Sequence, residues 1–476
     1  MSFLNVLEKN TNKSTYTENG ALTNASSLDT VLDYFAMGGS MRTRPEEAVK
    51  LFEKAYNVNP LLAVRCLFYL RDVRGGAGER DIFRRTLNAM DSDLLNKVVQ
   101  YVPEFGRYDD IPINPDTADF LYNQFVQDEK DMTQGKSVSL LAKWLPSENT
   151  SSQTTVDKAR VLIDSWDISP KEYRKRVSAL RKYIKILEQK MSANEWANID
   201  YSKIPSQAHR KHIKAFFKHD KDRYLQYLED VKSGKAKINS GTLFTYEIYD
   251  ELCKGYVRPE KHVLDAMTEM WKALPDYTNG TNALVLADVS GSMSGRPMSV
   301  STTLAVYFAE RNKGPFANKY MTFTNIPQVI TVEGDNLWSK LSYVEHSHVG
   351  YSTNLAAAFD AILKAAVDSR CLQEELPSVL YVISDMEFDN QMSNCDETNF
   401  ETAQRKFSEA GYELPHVVFW NVNSRNNQQP ATKFDNKVTL ISGSNQSAFK
   451  YAVECKNPLE LMEEVLNGDR YAQIVL

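Results

Sequence analysis

Apolar residues recur at three- and four-residue intervals through residues 27–275, with little alternation of period two, so this part of the chain is expected to be helical. One helix is expected to begin at Arg44-Pro45-Glu46-Glu47, where proline suits the first helical position and the acids suit the positive end of the helix dipole. Val49, Leu51, Phe52 and Ala55 form its apolar face. The next segment, PLLAVRCLFYLRDV from Pro60, is apolar on nearly every side up to Tyr69, which places it in the interior, with Gly75-Gly76 as its stop. Further helical patterns cover roughly 78–89, 92–101, 116–127, 172–189, 206–216, 220–232 and 258–273. The short connections favour antiparallel pairs, so a HEAT-like array or an irregular bundle is expected, although no fixed-period repeat is legible.

The pattern changes at the turn-rich hexad Pro275-Asp276-Tyr277-Thr278-Asn279-Gly280. Beyond it, β-rich apolar runs at 283–289, 320–324, 329–332, 379–383, 417–422 and 438–441 alternate with helical patterns at 298–310, 354–366, 400–410 and 459–466. Continuous apolar strands interleaved with helices predict a mostly parallel sheet covered on both faces, a doubly wound α/β domain. The expected division is a helical domain over residues 1–278 and an α/β domain over residues 279–476.

Composition narrows the class. No run approaches the ~18 consecutive apolar residues of a membrane span, and MSFLNVLEKNTNKST lacks the basic start and apolar stretch of a secretory signal, so the cytoplasm is expected and no membrane partner is. Cys66, Cys253, Cys371, Cys395 and Cys455 form no CxxC pair, a pattern that suits reduced thiols and argues against structural zinc. The net charge of −6 is unevenly spread: residues 171–237 hold 18 Lys and Arg against 8 Asp and Glu.

The first strand of the α/β part runs into Asp288-Val289-Ser290-Gly291-Ser292-Met293-Ser294-Gly295, at the carboxyl end of a strand, where open α/β sheets bind ligands. Alternate spacing of Asp288, Ser290 and Ser292 lets three oxygen side chains converge from a tight loop, and hard oxygen ligands suit a hard divalent ion. Gly350-Tyr351-Ser352-Thr353-Asn354 and Ser384-Asp385 fall on the same edge. The bland alternative is a polar turn after a buried strand.

These residues resemble the metal-ion-dependent adhesion site of the von Willebrand factor A domain, which uses Asp-x-Ser-x-Ser, a later Thr and a later Asp. Asp288, Ser290, Ser292, Thr353 and Asp385 match all five positions. The resemblance implies Mg²⁺, or Mn²⁺ or Ca²⁺, held by these side chains, with a partner's carboxylate completing the octahedron. The glycine usual after the last Asp is here Met386, followed by Glu387 and Asp389, extra acids that favour intramolecular closure or another ion if they are not simply solvated.

The helical part carries a second resemblance. Arg71-Asp72-Val73-Arg74-Gly75-Gly76-Ala77-Gly78-Glu79-Arg80, Pro103-Glu104-Phe105-Gly106-Arg107-Tyr108-Asp109-Asp110, Leu141-Ala142-Lys143-Trp144-Leu145-Pro146-Ser147, Ile204-Pro205-Ser206 and Phe217-Lys218-His219-Asp220 resemble the domain of unknown function 2828 family of bacteria, viruses and plants. Helices followed by a von Willebrand A domain are similar in layout to the Ro ribonucleoprotein with its TROVE module, which implies RNA as a ligand.

Within these motifs, Gly75-Gly76-Ala77-Gly78 is no P-loop, since no Gly-Lys-Ser/Thr follows and no strand precedes it. It is expected to be an interhelical turn whose Arg71, Arg74 and Arg80 pair with Asp72, Glu79 and Asp81; the alternative is an arginine-lined anion site at the next helix start. In the basic stretch, Arg174, Lys175, Arg181, Lys182, Arg210, Lys211, Lys214 and Lys218 are candidates for RNA phosphates, with Tyr173, Tyr183, Phe216, Phe217 and Tyr224 as candidate stacking platforms. A solvated helix face over core aromatics, or a patch that docks within the protein or on a second copy, are the alternatives.

Catalytic signatures are weak: there is no HExxH and no Gly-x-Ser-x-Gly, and His346-Ser347-His348 reads as a surface turn rather than a metal pair. A non-enzymatic binding scaffold is therefore expected. RNA is its leading ligand, and a protein-interaction or self-assembly module, including a viral or phage structural component, is the alternative. The rival enzyme class is a metal-assisted phosphoesterase. Oligomeric state is not legible.

Overall fold

The computed structural model describes residues 3–184, 186–255, 257–278, 280–347, 352–390, 397–452 and 456–476; Asn279 of the expected boundary, Cys395 and Cys455 lie outside them. The first elements are α1 (Phe3–Thr11) and an antiparallel hairpin of β1 (Ser14–Tyr16) and β2 (Leu22–Asn24). A helical region follows: α2 (Thr30–Met37), α3 (Pro45–Val58), α4 (Pro60–Arg71), α5 (Asp81–Ala89), α6 (Ser92–Val98), α7 (Val102–Phe105), α8 (Pro115–Thr133) and α9 (Leu141–Trp144). It continues with α10 (Gln153–Ser165), α11 (Pro170–Ile184), α12 (Leu187–Ser192), α13 (Ser206–His219), α14 (Lys221–Lys232), α15 (Thr245–Leu252) and α16 (Lys261–Lys272).

Local chemistry sets the helix starts. Asn59 accepts the Leu62 N–H at 3.1 Å with Pro60 at the first helical position, and Asn114 accepts the Thr117 N–H at 3.1 Å ahead of Pro115. In α4 every residue from Ala63 to Arg71 is buried, as its all-round apolar pattern predicts. The single helix expected over 172–189 is instead two, α11 and α12. Ile186 is extended (φ −64°, ψ 153°), and the Gln189 amide folds back onto the Arg181 carbonyl at 2.7 Å, supplying a donor near the end of α11.

The second part is a six-stranded sheet of β3 (Ala283–Ala287), β4 (Lys319–Met321), β5 (Val329–Thr331), β6 (Val379–Ser384), β7 (His416–Asn421) and β8 (Val438–Ser442), in the order β5-β4-β3-β6-β7-β8. All pairs are parallel except β4 with β5. Its helices are α17 (Arg296–Arg311), α18 (Leu337–Ser347), α19 (Leu355–Ser369), α20 (Asn399–Glu409), α21 (Phe449–Ala452), α22 (Pro458–Asn467) and α23 (Asp469–Ala472). Successive strand residues point to opposite faces and both are buried. Val285, Tyr381 and Trp420 join one core with α17, while Leu284, Leu380 and Phe419 join another with α19 and α20. Among the described residues no helix is long and apolar enough to cross a membrane.

The core on the α17 side runs on into the helical region: α2 packs on β8, and α22 packs on both β8 and α4. Both end segments of the described chain cross over. Residues Asn24 and Gln429 exchange backbone bonds of 3.2 and 2.8 Å, which ties the β1–β2 hairpin to the loop after β7. Arg65, buried in α4, donates to the carbonyls of Ala472 at 3.1 Å and Ile474 at 3.3 Å and to Asn467 Oδ1 at 2.6 Å.

The glycine-rich turn after α4 is the other joint. Asn445, beyond β8, donates to the carbonyls of Val73 at 3.0 Å and Gly76 at 2.7 Å, and Tyr451 donates to Gly75 O. The chain turns so closely at Gly76 that a Cβ there would lie 1.8 Å from the Tyr69 carbonyl oxygen. Gly76→Ala is therefore expected to cost more than about 2 kcal/mol in urea-unfolding free energy. Asn445→Ala, which leaves two carbonyls without their donor, is expected to cost about 1–3 kcal/mol in the same measurement.

Candidate metal centre

Strands β3 and β6 lie side by side and end together, which brings Asp288 and Asp385 to one edge. The Asp288 N–H bonds Ile383 O at 3.0 Å, Asp288 Oδ1 accepts the Ser290 N–H at 2.9 Å, and Ser384 Oγ donates to Asp288 Oδ2 at 2.7 Å. These bonds fix the loop so that the Ser290 and Ser292 hydroxyls sit 3.0 Å apart, Ser290 buried and Ser292 exposed. Asp385 is buried, and its Oδ1 accepts the Glu387 N–H at 3.1 Å. Among the described residues no hydrogen bond reaches its Oδ2; the nearest cationic group is Arg425 Nη1 at 3.6 Å.

Thr353 joins the same edge from the start of α19, donating through Oγ1 to Glu387 O at 3.0 Å or to Asp389 Oδ1 at 3.2 Å. Gly350 and Tyr351 of its segment lie outside the described residues. All five sequence-predicted oxygen ligands thus fall on the carboxyl edge of the sheet, from the β3 and β6 ends and the α19 start. Burial, and then the charge of Asp385, push the Asp288 carboxyl up to about 6. Two buried carboxylates side by side, one with a free oxygen, and neighbouring hydroxyls are a donor set that fits a hard divalent cation such as Mg²⁺.

The extra acids are used by the protein itself. Glu387 Oε2 accepts the Glu18 N–H at 2.6 Å and Oε1 accepts the Asn426 amide at 2.9 Å, while Asp389 Oδ2 accepts the Thr353 N–H at 2.8 Å. Met386, where the resembling family has glycine, holds φ +67°, the left-handed region glycine enters most cheaply, with its side chain buried in the α19–α20 core.

Sequence reasoning missed Glu18, Asn19 and Arg425. Arg425 carried a weak signal, since it follows a predicted strand's carboxyl end. Glu18 and Asn19 carried none, because only tertiary packing brings the β1–β2 turn here.

Comparison with known proteins places the chain in a family. A family profile described as domain of unknown function DUF2828 matches residues 17–92 and 116–276. The chain belongs to the DUF2828 family. A second profile, domain of unknown function DUF7788, matches residues 282–473, the segment that contains the five candidate ligands. An uncharacterized protein of Acanthamoeba polyphaga mimivirus is similar to this chain, 28% identical over 504 residues that cover 95% of this chain and 87% of that protein.

Two of the charged segments of the helical part meet in space. Arg71 binds Asp110 Oδ2 through Nε at 2.9 Å and Nη2 at 2.7 Å, Arg84 binds Asp110 Oδ1 at 2.6 Å, and Arg80 pairs with Asp109 and Asp110. Burial pushes the Asp110 carboxyl up, but Arg71 and Arg84 outweigh it and hold it below its ordinary value. The expected partners are corrected accordingly: Asp72 pairs with Arg470, Glu79 with Arg42 at 2.6 Å, and Asp81 with Arg85 at 2.8 Å. Arg74 is exposed.

The basic stretch divides by residue type. Arg174 pairs with Glu148, and Arg181 donates to the carbonyls of Ala142 at 2.8 Å and Leu145 at 2.7 Å and to Ser147 Oγ at 2.9 Å. Arg210 pairs with Glu251 at 2.7 Å and Glu247 at 3.4 Å. Lys175, Lys182, Lys211, Lys214 and Lys218 are exposed. The expected stacking aromatics are occupied: Tyr173, Phe216 and Tyr224 are buried, Tyr183 donates to Lys136 O at 2.7 Å, and Phe217 stacks on His262 at 3.7 Å. His346 Nδ1 lies 2.7 Å from Ser342 O, and His348 lies outside the described residues.

His209 belongs to this aromatic core, with Nε2 3.0 Å from Tyr224 Oη, and burial pushes its pKa down to about 3. The folded state therefore binds this proton less readily than the unfolded state, so its contribution is complete above pH ~6.5 and is lost as pH falls toward ~3. Urea-unfolding free energy is expected to lose about 1.4 kcal/mol per pH unit on this account below pH ~6.5, and His209→Gln should flatten that limb by one proton.

Proposed function

We propose that the chain is a non-enzymatic binding module in which a von Willebrand factor A-like domain over residues 279–476 is carried by a HEAT-like, TROVE-like helical part over residues 1–278. Asp288, Ser290, Ser292, Thr353 and Asp385 are its ion-binding residues, and the observation that carries the reading is Asp385 Oδ2, buried beside Asp288 without a donor. A buried carboxylate oxygen that accepts no hydrogen bond from the described residues and has its nearest cation among them, Arg425, 3.6 Å away is costly, and a bound cation is the natural compensation. When bound, Mg²⁺ or a similar ion supplies a positive charge able to accept a carboxylate from an acidic protein partner or a second copy of the chain. The chain's own part is to hold the two carboxylates rigid through Ser384 and the Glu387 N–H and to keep the two Ser hydroxyls at the loop mouth. Free Cys66, Cys253 and Cys371 accord with a cytoplasmic setting.

Titration calorimetry with Mg²⁺ and Mn²⁺ should give binding to wild type that is lost in Asp288→Ala and Asp385→Ala; identical traces for wild type and both variants would remove the site. Turnover of nucleotides or RNA that needs Mg²⁺ and Asp385 would favour the metal-assisted phosphoesterase instead.

RNA binding through the helical part, in the manner of the Ro layout, is the second reading, and the exposed Lys175, Lys182, Lys211, Lys214 and Lys218 favour it. Five phosphate contacts predict an affinity drop on the order of several hundredfold between about 50 and 200 mM salt. Gel shifts insensitive to salt and to charge reversal at Lys175, Lys211 and Lys214 would discard this ligand.

A further inference from the structure

The turn of the β1–β2 hairpin sits on the candidate ion edge. Asn19 Nδ2 donates to Thr353 Oγ1 at 3.1 Å and to Glu387 O at 2.7 Å, Thr17 Oγ1 donates to Phe388 O at 2.6 Å, and the Asn390 N–H donates to Asn19 O at 3.1 Å. The Glu18 carboxylate pairs with Arg425, and the same guanidinium lies 3.6 Å from Asp385 Oδ2, which accepts no hydrogen bond from the described residues. Two of the five ligand residues are thereby engaged, Thr353 directly and Asp385 through a cation.

A hydroxyl has one proton and two lone pairs. Thr353 spends its proton on Glu387 O or Asp389 and one lone pair on the Asn19 amide, so an approaching ion finds a single lone pair left and the positive end of the Asn19 N–H dipole beside it. At Asp385 the competition is electrostatic, because a guanidinium and a divalent ion repel each other across the same carboxylate oxygen. Glu18 moderates it by drawing Arg425 toward itself.

Resting on the ion-site reading above, we propose that the Thr17–Gly20 turn and Arg425 form a built-in latch that competes with the divalent ion for Thr353 and Asp385, so that ion loading and release of the turn are coupled. The coupling is reciprocal: whatever withdraws Asn19 from Thr353 raises ion affinity, and ion loading loosens that contact.

The three side chains of the latch give different signs. Calorimetric titration of Mn²⁺ should show Asn19→Ala and Arg425→Ala each binding about fivefold tighter or more than wild type, as expected for removal of one competing polar or charged contact. Glu18→Gln leaves Arg425 facing Asp385 alone and should bind more weakly than wild type, an opposite sign that general loosening of the hairpin would not give. Hydrogen exchange supplies a readout free of affinity: saturating Mn²⁺ should speed amide exchange over residues 14–24 in wild type and leave Asp288→Ala unchanged. Equal affinities in wild type, Asn19→Ala and Arg425→Ala, or exchange over residues 14–24 that ignores Mn²⁺, would overturn the latch while leaving the ion site standing. Absence of Mn²⁺ binding by wild type and every variant would overturn the ion site and the latch with it.

Discussion

A parallel sheet with apolar side chains on both faces must have both faces covered, and here the cover of one face is drawn from two distant parts of the sequence. On the α19–α20 side the local helices supply most of the cover, joined by Ala21 of the first hairpin and Ala36 of α2. On the other side α17 is joined by α2, which packs on β8, and by α22, which bridges β8 to α4. The core of the helical region and the core on that face of the sheet are consequently one. The crossing of the end segments, the Arg65 grip on residues 467–474 and the Asn445 grip on the glycine turn all follow from that shared burial.

The same constraint builds the candidate ion edge. Parallel strands that end together bring Asp288 and Asp385 side by side, and desolvation then makes the Asp288 charge expensive. Surrounding polar groups hydrogen-bond the two carboxylates: Ser384 and the Ser290 amide at Asp288, and the Glu387 amide at Asp385. What is left over is one carboxylate oxygen of Asp385, with Arg425 near but beyond hydrogen-bonding distance. Because α2 must reach β8, the hairpin that precedes it is delivered to this edge, where Glu387 receives the Glu18 N–H. The acid that looked like a spare ligand is a docking point for the chain's own first hairpin.

The charged segments of the helical part are engaged by contacts within the chain. Arg71 and Arg80 meet Asp109 and Asp110, Arg181 caps the carbonyls of Ala142 and Leu145, and Tyr173 donates to Pro146 O at 2.7 Å. Each pair fixes one helix–helix junction where several backbone groups lack helical partners. Their shared chemistry with anion or RNA sites, guanidinium beside aromatic, is what made the sequence ambiguous.

What could be read along the chain was whatever depends on near neighbours. Helix starts at Pro45 and Pro60, the six strand positions and the Asp288-x-Ser290-x-Ser292 spacing are all local, because caps, period-two burial and a tight loop involve residues a few positions apart. Asp385 and Thr353 were legible as well, since strand ends and helix starts in an alternating sheet share an edge by topology. The choice of partner for each charge was not. Arg71 selects Asp110 over Asp72, Glu387 turns to Glu18 and Asn426 rather than toward an ion, and Asn19 reaches Thr353 across 334 residues. Side-chain electrostatics falls off over a few ångströms, so those pairings exist only once packing has set which surfaces touch.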